Sequence, residues 1–226
     1  MKNHHAENFD KHHLSRGADR INSSGYTSRM KFGVIAVFCL LSIAGNLATS
    51  FLASALHAPI FLDTIFTVAI TFYAGLVPGL IVAVLHNPIM TFIRSVIYGT
   101  DLFYFGSLYA VCGMLIALST WIFSRNKKDF FFNRTVTVLY LLIIVFVSSF
   151  LSCFSASALD TFIRPLLNDS LRFFPTDIFS IPFQKLKFGM FLSYLLPRIP
   201  ITVLDRLICT FSGFGLYRLV ERRISC

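Results

Sequence analysis

The sequence predicts an all-α integral membrane protein, a bundle of about six transmembrane helices with both termini cytoplasmic. Three observations carry this. Of 226 residues, 55% are hydrophobic and only 14% are charged, whereas a soluble domain carries about 25% charge. Six apolar segments follow one another, and roughly 20 residues cross the hydrocarbon. The basic residues collect in segments that an even number of spans puts on one side.

Residues 1–31 are polar and hold Lys2, Lys11, Arg16, Arg20, Arg29 and Lys31, with no apolar core of signal-peptide type. They read as a basic cytoplasmic tail, and the next segment as a retained span. His4, His5, His12 and His13 belong to this tail, where no cysteine or ordered framework supports a metal site. The apolar segments are 32–56, 61–77, 79–97, 102–123, 136–159 and 199–220. The second and third are short, and Val77-Pro78-Gly79 between them suits a tight turn between antiparallel helices. Arg125, Lys127, Lys128 and Arg134 mark the loop between the fourth and fifth. Residues 160–198 are mixed and rich in Phe and Pro, with helix-breaking Phe174-Pro175 and Ile181-Pro182. They read as an outer cap with an interfacial helix, because the apolar run 187–196 is too short to span. The six-helix domain thus covers 32–220, and 221–226 form a cytoplasmic end.

The net charge is +9. Thirteen of the 20 basic residues fall in the tail, the fourth-to-fifth loop and the carboxyl end. The charge is therefore mostly topology, not a nucleic-acid footprint. Five scattered cysteines make no CxxC pair and read as small buried residues rather than metal ligands. No cofactor or metal is expected.

In the first span, Ala44 and Ala48 form an AxxxA, and Gly45, Thr49 and Ala53 run beside it. Small residues at this spacing admit a close helix, either within the bundle or from a partner membrane protein. Asp63 sits just inside the second segment, where its carboxylate either caps that helix or meets a ligand. His86 and Asn87 precede Pro88, which frees a carbonyl mid-span; the outcome is a kink alone or a cavity-facing break. Further ionisable residues in or near spans are Arg94, Asp101, Asp160, Arg164, Arg198, Asp205 and Arg206. Charges in hydrocarbon face the bundle interior or a cavity, through structural pairs or ligand contact. Asp160 and Arg164 are spaced to pair on one helix face. Arg94, Arg164 and Arg198 suit an anionic group, and Phe103, Tyr104 and Tyr109 offer stacking surface or interface anchors.

The run Pro59-Ile60-Phe61-Leu62-Asp63-Thr64-Ile65, the Gly75-x-x-x-Gly79 pair leading to Asn87, and the late run from Arg198 through Pro200 to Asp205 and Arg206 resemble the substrate-binding S components of energy-coupling factor (ECF) transporters. The resemblance covers about residues 32–220. It implies a six-helix bundle that binds a vitamin or related micronutrient from outside. Its implied partners are a transmembrane coupling subunit, contacted through Ala44 and Ala48, and two cytosolic ATPase subunits. It implies a multi-pass protein of the cell (inner, cytoplasmic) membrane. The substrate-binding candidates are Asp63, Asn87, Arg94, Tyr104, Asp160, Arg164, Arg198 and Asp205. The long outer segment before the last span departs from the family pattern.

No GxxxxGKS or GxxxxGKT loop is present, so ATP hydrolysis falls to other subunits. A membrane input domain of a sensory system is the alternative, its output carried by a separate chain. A membrane-embedded enzyme ranks below both, since there is no HExxH and no GxSxG.

Overall fold

Long apolar runs without internal charge favour helices whose backbone groups pair within the segment, the condition for crossing hydrocarbon. In a computed structural model the described residues, 32–56, 60–98, 103–163, 165–167, 180–186 and 189–224, are accordingly mostly helical, with no strand among them. Helix α1 is Phe32–Ala55, α2 Ile65–Ala74, α3 Leu76–Tyr98, α4 Phe103–Leu108 and α5 Ala110–Ser124. A single turn, α6 (Lys127–Phe130), precedes α7 (Arg134–Ala158), which continues as a π-helical turn over Leu159–Ile163. Pro165–Leu167 is a 3-10 turn, α8 is Ile181–Lys185 and α9 is Met190–Ile224. Residues from Val37 onward make one unit; residues 32–36 belong to a separate amino-terminal one and are described here only as helix.

Among the described residues five stretches are long and apolar enough to cross a membrane: α1, α3, the end of α4 with α5 (106–124), α7 with its π-helical turn, and α9. The second apolar segment instead holds a helix of only 10 residues, α2, about 15 Å long. It is nevertheless the most enclosed element. Ile65, Thr67, Val68, Ile70, Thr71 and Phe72 are all buried, and α2 packs on α3, α5 and α9.

Residue pairs fix the chain directions. Asn46 meets Thr67 while Phe38 meets Tyr73, so α1 and α2 are antiparallel. Gly75 turns α2 back into α3 at φ 91°, a conformation that L side chains resist. Gly79 then lies against Thr71 and Ala117. Gly113 faces Ala83, and Tyr109 and Cys112 face Asp160 and Ser152, so α3, α5 and α7 alternate in direction. In contrast α2 and α9 are parallel: Leu62 meets Asp205, Ile65 meets Gly213 and Phe72 meets Tyr217.

Helix α9 corrects one expectation. The last span was expected from residue 199, with 187–196 lying at the interface. The structure has one helix of 35 residues that runs through Pro197 and Pro200. Each proline removes a single backbone donor. Before these positions Phe191 packs on Phe154 of α7, and after them Asp205 holds the Phe61 and Leu62 backbone, so α9 is supported on both sides.

Helix α7 shows how the bundle sorts its faces. Phe146, Phe150 and Phe154 are exposed, while Ser148, Ser149, Ser152 and Ser157 are buried. A soluble helix has the opposite arrangement. An outward apolar face suits lipid, and the inward hydroxyls give the interior its polarity.

Candidate functional site

The site grows from the broken lead into α2. Residues 60–64 are not helical, so their backbone groups need partners from elsewhere. Asp205 on α9 provides one carboxylate oxygen, Oδ1, that accepts the N–H groups of both Phe61 and Leu62 at 2.9 Å. The Thr49 hydroxyl on α1 donates to the Leu62 carbonyl at 2.6 Å. These contacts hold Leu62 at φ 49°, the left-handed region that a leucine rarely occupies.

Arg206, the next residue on α9, closes the cluster. Its Nη1 donates to the Thr64 hydroxyl. Its Nη2 lies 3.2 Å from Asp205 Oδ2 and 3.6 Å from Asp63 Oδ1. Two carboxylates thus share one guanidinium. Asp205 is fully buried, whereas the Asp63 side chain keeps 23% of its exposure. A charge left unpaired at this depth is costly, and such residues mark functional positions.

The start of α2 is capped from a third helix. Asp63 makes no cap here: Thr64 occupies the cap position without a side-chain bond. Asn46 on α1 does the work instead. Its Oδ1 accepts the Phe66 N–H and its Nδ2 donates to the Thr67 hydroxyl, both at 2.9 Å. Gly45 beside it leaves room for the Phe66 ring.

A second charged cluster lies seven residues back along α9, about 10 Å and two turns away on nearly the same face. Arg198 Nη1 lies 2.7 Å from Asp160 Oδ2, and the Tyr109 hydroxyl donates to Asp160 Oδ1 at 2.5 Å. The π-helical turn after α7 carries Asp160 inward, where it is 1% exposed. Cys112 on α5, one turn from Tyr109, donates to the Ser152 carbonyl on α7 at 3.7 Å. His86 on α3 is also buried.

The sequence candidates divide accordingly. The structure brings Asp63 and Asp205 into one cluster and Asp160 and Arg198 into the other. Asn87 is half-buried in α3, and its carbonyl accepts the Thr91 hydroxyl. Arg94 is exposed near the end of α3 and donates to Ser54 at 3.3 Å. Asp101, Arg164 and the side chain of Tyr104 lie outside the described residues. Ala44 and Ala48 face outward, while Gly45, Thr49 and Ala53 pack inward, so the two small-residue rows of α1 serve different surfaces. Asn46, Thr64 and the buried serines of α7 were not among the candidates. A lone Asn inside a 24-residue apolar helix was the available signal for Asn46.

The opposite end of α2 is fastened too. Lys127 Nζ donates to the Phe72 carbonyl at 3.0 Å, where it faces the negative end of the α2 dipole. It lies 5.1 Å from the Tyr217 ring centre and 5.9 Å from those of Phe72 and Phe131. Burial pushes the Lys127 ammonium pKa down, and Glu221 opposes this. Phe130, fully buried, joins these rings into the aromatic end of the core.

No family model matches the chain, and neither a curated protein nor a solved structure matches it.

Proposed function

We propose that this chain is the membrane-embedded substrate-binding component of an ECF-type importer, which captures a vitamin or related micronutrient from outside for ATP-driven uptake by partner subunits. One observation carries the reading. The two distant runs behind the resemblance, 59–65 and 198–206, meet inside the bundle. Asp205 and Arg206 hold the backbone and side chains of residues 61–64. Irregular backbone at membrane depth persists where it is buried in protein or lines a cavity. Broken helices of this kind form substrate sites in membrane transporters.

Segment lengths support six crossings. Helix α2 covers about 15 Å, half of the roughly 30 Å hydrocarbon core. The five non-helical residues 60–64, with Leu62 at φ 49°, lengthen it by at most about 16 Å. With α2 and its lead counted as a crossing, both termini are cytoplasmic, on the side of the basic 125–134 loop. The outward Ala44 and Ala48 then offer a close-approach face to the coupling subunit.

The test is mass spectrometry of the detergent-purified protein for a co-eluting metabolite, with co-purification of a coupling subunit. One tightly held small molecule is expected. Ala44→Trp or Ala48→Trp is expected to abolish subunit association and leave the metabolite bound. A protein that holds no metabolite and recruits no coupling subunit defeats the reading.

A further inference from the structure

Serine and threonine hydroxyls in apolar helices ordinarily bond back to their own backbone, one turn earlier. Several here do so: Thr71 to Thr67, Ser119 to Leu115 and Thr120 to Ile116. Three serines of α7 do not. Ser149, Ser152 and Ser157 are 2%, 4% and 0% exposed, and their hydroxyls reach no partner among the described residues. A buried hydroxyl without a partner is destabilising, more so where the surroundings are lipid and apolar side chains.

Their neighbours define a strip. Ser149, Cys153, Ala156 and Asp160 follow one line along α7, with Ser152 and Ser157 on either flank. This side of α7 is turned to α5 and α9. Cys112 of α5 meets the Ser152 carbonyl, and Tyr109, just before α5, and Arg198 of α9 meet Asp160. Ser149 to Asp160 covers about 16 Å of helix. One end is the Asp160–Arg198 pair, whose charges cancel, and the remainder is hydroxyl and thiol.

We propose that this α5–α7–α9 interface is a wetted seam that takes uncharged hydrogen-bonding groups, either water or the hydroxyl or amide groups of a bound solute. It rests on the proposed function only for the identity of such a solute. The seam is electrically neutral and rich in unpaired hydroxyls, so it is suited to neutral polar groups rather than to an ion. Asp63, in the other cluster, is the more exposed carboxylate.

Two measurements on the full chain decide it. The first replaces Ser149, Ser152 and Ser157 singly with Ala and reads the melting temperature in detergent. Removing a hydroxyl that is dry and unpaired leaves the protein unchanged or more stable. Removing one that is bridged lowers the melting temperature, here by about 2–4 °C. If the loss disappears after exhaustive detergent exchange, the bridging group is a solute; if it persists, it is water. The second treats proteoliposomes with the neutral, polar 2-hydroxyethyl methanethiosulfonate and follows each cysteine by peptide mass. Cys112 and Cys153, on the seam, are expected to label at least roughly tenfold faster than Cys39, buried on α1 outside it. Serine variants as stable as the parent or more so, or seam cysteines no faster than Cys39, overturn the proposal. Neither readout needs a metabolite or a coupling subunit. A dry seam with a co-eluting metabolite defeats the seam alone, and a labelled seam with neither partner defeats the importer reading alone.

Discussion

Asp205 follows Leu62 by 143 residues, and its carboxylate lies 2.9 Å from the Leu62 backbone nitrogen. The same oxygen accepts from Phe61, and the other oxygen faces Arg206. One side chain therefore holds both a broken backbone and a buried cation.

Asp205→Ala leaves two backbone donors and a guanidinium without their acceptor. Removing one partner from a buried pair costs about 3–5 kcal/mol. Asp205→Asn keeps a carbonyl for the two N–H groups and is expected to lose less. Thermal unfolding in detergent checks the order: parent above Asn, Asn above Ala.

Asp160 and Arg198 should behave as a unit. Each single neutralisation, Asp160→Asn or Arg198→Gln, strands the opposite charge and is expected to lower stability by about 3–5 kcal/mol. The double variant is expected to recover part of that loss, a coupling of about 0.5–3 kcal/mol. A double-mutant cycle on melting curves measures it, and strict additivity contradicts the pairing.

Two glycines of α9 should respond with opposite sign. A Cβ on Gly213 meets the Ile65 carbonyl oxygen at 2.6 Å, and backbone cannot yield as a side-chain tip does. Gly213→Ala is expected to cost about 1–3 kcal/mol. A Cβ on Gly215 meets nothing within 4 Å, and Gly215→Ala is expected to stabilise by up to about 1 kcal/mol through helix propensity. Paired melting curves suffice.

Lys127 gives a pH signature. Its folded pKa lies below the ordinary lysine value because burial disfavours the ammonium. Between the folded pKa and about 10.4 the unfolded chain binds the extra proton, so stability from this group rises with pH and is lost as pH falls through that window. Unfolding followed between pH 8 and 10.5 for parent and Lys127→Gln should show the steeper rise in the parent. Equal slopes refute the assignment.

Residue patterns disclosed the apolar segments, and α1, α3 and α7 begin and end within a few residues of where hydropathy places them. The second segment was apolar over 17 residues, yet the helix inside it, α2, has only 10. Hydropathy registers transfer to lipid and is blind to whether a backbone pairs with itself or with a distant carboxylate. Asp63 was therefore legible as a charge at a span entrance, but its partner Arg206 was not. Asp160 had an acceptable partner four residues away in sequence, and nothing local distinguished Arg164 from Arg198. Asn46 stands among Ala44, Gly45 and Ala48, whose spacing signals helix packing, so its capping role has no mark of its own in the sequence. The α7 serines pass for small residues in any hydropathy count, and only burial without a partner sets them apart.

The parallel course of α2 and α9 also sets the order in which this protein is completed. A ribosome adding about 5–20 residues per second reaches Asp205 roughly 7–30 s after Leu62. Until then the lead into α2 has neither acceptor nor counter-ion, and ten helical residues alone do not cross a bilayer. The second segment is thus expected to wait, shielded by α1 through Asn46 and Thr49, until the last helix arrives. A nascent chain arrested before residue 205 should expose residues 60–64 to water-soluble labels, and release of the full-length chain should hide them.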